Sequence, residues 1–298
     1  MPTFVHSRGI LASCDVHPAN PASSTSDPAI DISAIKRGST VYICSAAIRS
    51  LDLESIPHPF ILVSGDSDES VPDTVFPNRE DFLRFIESDK IIHWFTQNCT
   101  TTHPKLTAIP IGLDYHTLAA GPMGWGPQQT GLEQEAELLS VRDAAPPFYE
   151  RKPMCYSTFH FNKQSGRRYT YDREDAIRNI PEDLIFYEPK EIPRLDSWKH
   201  QAEYAFVASP HGNGLDCHRT WEALCLGSIP IVKTSSIDPV FDGLPVLIVQ
   251  DWSDITSELL ENTLQRFKVQ QFDSSRLTLG YWMNLIESKR SSLEVDEE

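Results

Sequence analysis

The residues best suited to chemistry in this sequence lie in one stretch, 205–233, AFVASPHGNGLDCHRTWEALCLGSIPIVK. An apolar run at 205–208 predicts a buried strand, a loop at 209–217 carries Gly212 and Gly214, and 218–226 has the spacing of a short helix. Gly227 stops that helix, and 229–232 reads as the next buried strand. This order suits an anion, because glycines let the backbone approach a ligand and the helix after them presents unpaired N–H groups and the positive end of its dipole. Phosphate is the natural guest of such a loop.

The side chains sharpen that reading. His218, Arg219 and Glu222 share one side of the first turns, while Trp221, Leu224 and Cys225 can face a sheet. Arg219 can grip a diphosphate, and Glu222 can accept hydrogen bonds from a ribose diol. The same two residues also have the i,i+3 spacing of an ordinary surface ion pair, and glycine loops also serve as plain turns.

The run HGNGLDCHRTWEALCLGSIPIV resembles the nucleotide-sugar-binding segment of exostosin-like glycosyltransferases, with its Gly-rich loop, Arg, Trp-Glu-Ala and Gly-x-Ile-Pro-Ile/Val. A looser likeness extends to the α1,3-fucosyltransferases, which carry a similar Lys/Arg, Trp and Gly-x-x-Pro-Val series. Weaker similarity continues back to Lys152. The resemblance implies an α/β, GT-B-like fold of two Rossmann-like domains, their parallel sheets facing a central cleft and the donor held mainly by the second. The donor-binding candidates are His211, Gly212, Asn213, Gly214, His218, Arg219 and Glu222. By the resemblance, Asn162 and Arg167 or Arg168, in the loop after a strand at 153–161, join them in second rank. Arg219 and the helix N-terminus would neutralise the departing diphosphate, help that otherwise falls to a metal ion. No resident cofactor or metal is therefore expected, and the nucleotide-diphospho-sugar is a co-substrate.

The elements that must hold these residues follow from the whole chain. Its 298 residues, 40% hydrophobic and 23% charged, suffice for two globular domains with a core each. Lys and Arg number 26 against 42 Asp and Glu, a formal net charge of -16 that disfavours nucleic acid and anionic membranes as partners. The first twenty residues lack an apolar signal core, and no segment reaches the roughly 18 apolar residues of a membrane span. A soluble, cytoplasmic protein is expected. Many exostosin relatives are membrane-anchored, and a cytosolic enzyme or a trimmed chain would each account for the departure. Six scattered cysteines without a CxxC pair indicate neither zinc nor a disulfide framework.

Residues 1–35, rich in Pro, Ser, Ala and Asp, read as a partly ordered arm. The N-terminal Rossmann-like, acceptor-side domain is expected over 36–150, with strands at 40–47, 59–64, 90–95 and 106–111 and an amphipathic helix at 78–87. Their alternation predicts a parallel sheet, whose ligand crevice lies beyond the carboxyl ends of the strands. That rule gathers 64–68, Gln97, Asn98 and 112–116 on one rim, where Asp114 and His116 are the candidates for a general base. An Asx turn at Asp114 and a surface ring at His116 are the plainer readings. Asp66 and Asp68 offer a second possibility, the Asp-x-Asp by which GT-A glycosyltransferases hold a divalent metal, although Asp-x-Asp is also a common surface turn.

A Gly and Pro loop at 119–130 carries Trp125, which can stack on a sugar face or plug its own core. A helix at 132–143 and a linker at 144–152 precede the donor domain, 151–273, with strands at 153–161, 184–187, 204–208, 229–232 and 245–249 and helices at 173–179, 197–203 and 257–271. The last part, 274–298, combines a helix expected to return to the first domain with an acidic tail. The function expected is a metal-independent, inverting glycosyltransferase acting on a glycan, a glycoconjugate or a small hydroxyl acceptor. A metal-dependent GT-A enzyme using Asp66 and Asp68, and a non-catalytic nucleotide-sugar-binding protein, are the alternatives.

Overall fold

Segments dense in β-branched and aromatic residues become two separate parallel sheets in the computed structural model, which describes residues 1–161 and 168–295. The chain divides into two compact units, Val5–Ile111 with Thr278–Glu298, and Met1–Phe4 with Gly112–Leu277.

In the first unit, helix α1 (Ser7–Ser13) precedes strands β1 (Thr40–Cys44), β2 (Phe60–Gly65), β3 (Ile91–Thr96) and β4 (Leu106–Ala108), which pair in chain order and all parallel. Every residue of β1 and β2 is buried, as in a parallel sheet covered on both faces. Helix α2 (Arg79–Ile86) starts at Asn78, whose side chain accepts the Asp81 N–H at 2.9 Å, and buries Phe82 and Ile86. Phe82 and Phe85 pack on Trp94 of β3, Phe85 with its ring centroid 5.4 Å away. The C-terminal helix, Leu279–Val295, packs on α1, β2 and β3 and buries Trp282 and Ile286.

The start of the chain is built in more firmly than its composition suggests. Val5, Ile10, Leu11 and Cys14 are buried, and Val16 forms a parallel bridge with Val41. Apolar residues spaced along α1 stabilise it, and apart from Pro2, ahead of the helix, the prolines begin only at Pro18.

The second unit runs through α3 (His116–Ala120), α4 (Gly131–Ala144), β5 (Lys152–Ser157), α5 (Thr170–Asn179), β6 (Ile185–Tyr187), α6 (Arg194–Gln201) and β7 (Tyr204–Ala208). It continues with α7 (His218–Cys225), β8 (Ile229–Lys233), β9 (Leu247–Val249) and α8 (Ser257–Val269). The parallel sheet has the order β6-β5-β7-β8-β9, around a core that includes Phe206, Ile231 and Trp252.

The division falls between Ile111 and Gly112 rather than near residue 150. Long-range polar ties explain it. Arg194 donates to the Asp114 carbonyl at 2.8 Å, Gln134 of α4 donates to the Tyr115 carbonyl at 2.9 Å, and Glu135 accepts the Tyr115 hydroxyl at 2.9 Å and the Thr3 N–H at 2.7 Å.

The expected linker at 144–152 also holds a buried anchor. Arg151 donates to the carbonyls of Pro146 (2.7 Å) and Leu226 (3.0 Å) and to the Ser228 hydroxyl (2.9 Å), and burial pushes its guanidinium down to about 10. It thereby satisfies a carbonyl at the end of α7, where Gly227 takes the left-handed conformation (φ +75°). Arg151→Ala leaves these acceptors without a donor and should lower unfolding stability by about 3 kcal/mol, measured by urea denaturation; a change within a few tenths would show that α7 does not depend on this anchor.

Candidate functional site

In a sheet ordered second-first-third-fourth-fifth, the strand connections reverse direction between the first and third strands, here β5 and β7. Beyond their carboxyl ends lie 158–159 and 209–211, and ligands bind in that crevice in open α/β sheets. Arg219, in the first turn of α7, reaches this point. Its Nη1 lies 3.3 Å from the Ser209 hydroxyl and 3.2 Å from the Pro210 carbonyl, and its guanidinium stands 5.7 Å from the Phe159 ring centroid. Helix α7 starts beside it with no side-chain cap at Cys217.

A buried carboxylate holds the preceding loop. Asp172 of α5 accepts the His211 N–H at 2.8 Å and the Trp252 indole N–H at 2.7 Å. The His211 imidazole is buried within the loop, its Nδ1 2.7 Å from the Leu215 carbonyl. A Cβ at Gly212 would lie 2.9 Å from Nη2 of Arg173, whose Nε donates to the His211 carbonyl at 3.3 Å. The space left by this glycine is therefore filled by a guanidinium of the protein itself. The Gly214 carbonyl accepts the Gly212 N–H at 3.1 Å, and Asn213 between them is half-buried. Arg173 and Arg219 thus converge on consecutive carbonyls, His211 and Pro210, and concentrate positive charge at the β7 exit.

Glu222 takes a different direction. Arg219 and Glu222 form no ion pair with each other among the described residues, and Glu222 instead lines a pocket of about 550 Å³ with Asp114, Trp125, Thr158, Arg194 and His218. That volume is ordinary for a small-molecule site. His218 Nδ1 lies 2.7 Å from the Gly112 carbonyl. A carbonyl only accepts, so Nδ1 carries a proton and Nε2 is the nitrogen left for the pocket. Asp114 accepts the Thr117 N–H at 3.0 Å and stands 3.1 Å from His116 Nδ1, and the rings of His116 and His218 are 6.4 Å apart. Burial pushes the Asp114 carboxyl up, but the neighbouring imidazoles of His218 and His116 and the Thr117 bond outweigh it and hold the group below the usual range. At Glu222 burial wins, pushing the carboxyl up against the pull of Arg194 and His218.

Arg194 organises this pocket. Its guanidinium lies 4.7 Å from the Trp125 ring and 4.8 Å from the Trp198 ring, and it donates to the Asp114 carbonyl and to the Gln134 side chain. The sequence offered no signal for it beyond a Pro193-Arg194 pair at a helix start, and α6 begins three residues before Ser197, the start expected for it. Arg173 and Asp172 were equally silent, since the helix expected at 173–179 carried no sign of a site.

The remaining candidates scatter. Asn162 and Arg167 lie outside the described residues, and Arg168 is exposed. In the first unit, Asp66 uses one carboxylate oxygen on Arg8 (2.9 Å) and the other on the Ser23 hydroxyl (2.9 Å). Gln97 accepts the Asp66 N–H and donates to Ser7 and the Pro110 carbonyl, and Asn98 donates to the Ser67 carbonyl. These rim residues hold loops together.

No protein-family model matches the chain, and no curated protein matches it. Among solved structures, it is similar to an α,α-trehalose 6-phosphate synthase from Burkholderia multivorans, at 12% identity over 90% of this chain and 74% of the other, with a TM-score of 0.39. A UDP-forming α,α-trehalose-phosphate synthase from Burkholderia vietnamiensis aligns at 10% identity over 89% and 73%, with a TM-score of 0.37.

The opposite shifts of the two carboxyls set opposite pH dependences. A carboxyl raised in the folded state contributes stability below its unfolded value, here 4.5, and loses it as pH rises; a lowered one contributes above its unfolded value, here 3.8, and loses it as pH falls. Glu222→Gln should therefore gain stability on the unsubstituted protein as pH rises above 4.5, whereas Asp114→Asn should fall behind it as pH rises toward 3.8 and stay behind by a constant margin above that. Urea denaturation across a pH series checks both signs, and parallel pH curves for all three proteins would contradict the assignment.

Proposed function

We propose that this chain is a GT-B-type glycosyltransferase that moves a sugar from a nucleotide-diphospho-sugar to a hydroxyl of a glycan, glycoconjugate or small acceptor, without a metal and with inversion. One observation carries the reading: Arg219 and the N-terminus of α7, where the Cys217 side chain makes no cap, stand together at the point where the strand order of the second sheet reverses. A guanidinium and oriented backbone N–H groups are what a departing diphosphate needs, because they meet its growing charge without having to reorganise.

In the step proposed, the acceptor oxygen attacks the anomeric carbon while the bond from that carbon to the diphosphate oxygen breaks. The nucleoside diphosphate leaves with the electron pair, toward Arg219. The hydroxyl proton passes to an imidazole in preference to Asp114, since a carboxylate held below its usual range is a weak base. His218 is that base, because it lines the pocket with Nε2 left to accept, while His116 stands behind Asp114. Asp114 then stabilises the imidazolium.

Arg219→Ala should reduce kcat by about 10²–10³-fold, and His218→Asn, which can still donate to Gly112, by about 10²–10⁴-fold. Initial-rate measurements test both, and an unchanged rate in Arg219→Ala would remove the diphosphate assignment. The anomeric configuration of the product, read by NMR, tests inversion; transfer that stops on adding excess EDTA would contradict metal independence.

A further inference from the structure

We infer that the pocket beside Arg194 is a subsite for an uncharged, polyhydroxylated ring, and that it discriminates against phosphorylated and carboxylated sugars. The inference rests on the glycosyl-transfer reading only for the class of ligand, a sugar.

The charge of the lining carries it. Three carboxylates face or rim the pocket, those of Asp114, Glu191 and Glu222. Against them stands one guanidinium among the described residues, and it is committed: Arg194 donates to the Asp114 carbonyl and to Gln134, and two tryptophan rings flank it. A phosphate or carboxylate entering here meets like charge with no uncommitted guanidinium or ammonium of the described lining to offset it. A neutral sugar meets a favourable surface instead. Vicinal hydroxyls donate to carboxylate oxygens in charge-assisted bonds, and Trp125 and Phe161 offer aromatic surface to the C–H face of a ring.

A second observation points the same way. The indole N–H of Trp198 is buried and directed at the Glu222 carboxyl, where it favours the charged form against the pull of burial. The anion-binding groups, by contrast, are gathered around Arg219 at the β7 exit. The two regions divide a nucleotide-sugar reaction by charge.

The test is saturation-transfer NMR on the full chain with glucose, galactose and mannose, their 6-phosphates, and glucuronate, beside separate calorimetric titrations with UDP and GDP. At least one neutral hexose should bind, with every anionic sugar at least tenfold weaker. Glu191→Lys, at an exposed rim position, should narrow that gap about tenfold by admitting the 6-phosphates. Anionic sugars binding as well as the neutral ones, or no binding by any neutral hexose, would overturn the subsite. Nucleotide binding accompanied by a preference for sugar phosphates would overturn it while leaving the transferase reading; selective hexose binding by a chain that takes neither nucleotide would support the subsite and remove that reading.

Discussion

The position of α7 is the constraint on which the rest of the second unit depends. A helix of eight residues has a dipole and unpaired N–H groups that act only over its first turn, so a shift of even part of a turn would misdirect them. It is pinned at both ends. Near its start, Asp216 accepts the indole N–H of the fully buried Trp221 at 2.9 and 3.0 Å, and Asp172 holds the loop that feeds it. At its end, Arg151 and Gly227 close the carbonyls and turn the chain into β8.

So fixed, the helix distributes its side chains by angle. Trp221, Ala223 and Leu224 enter the core, Arg219 turns toward the exits of β5 and β7, and His218 and Glu222 turn toward the pocket. Residues one and three positions apart therefore serve two different electrostatic surroundings. Around Arg219, a second guanidinium from Arg173 joins the N-terminal end of the helix. Around Glu222, carboxylates predominate, and burial and ion pairing shift Glu222 and Asp114 in opposite directions.

Arg194 contributes a different kind of rigidity. Its planar guanidinium fills the gap between Trp125 and Trp198 and bonds to the backbone of Asp114, so a Gly and Pro loop, a helix and the residues before α3 are held by one side chain. The same commitment takes its charge out of use for a ligand. In a chain of net charge -16, an anion is accommodated only where local N–H groups and guanidiniums overcome the overall field.

Local pattern alone determined the strands, the capped α2 and the strand, loop, helix and strand that end at Val232, because periodicity and glycine placement report on neighbours a few residues away. The stop at Gly227 was equally legible, since only a left-handed residue closes that helix. Tertiary structure decided what crossed larger separations. Arg194 meets Asp114 across 80 residues and Thr3 meets Glu135 across 132, and neither contact leaves a trace in spacing. Gly212 reads in sequence as room for a ligand, and in the fold that room belongs to Arg173. The i,i+3 spacing of Arg219 and Glu222 fits an ion pair as well as it fits two separate roles. Packing separated them, because only the sheet order brings the β5 and β7 exits to one side of α7 and the Gly112–Asp114 backbone to another.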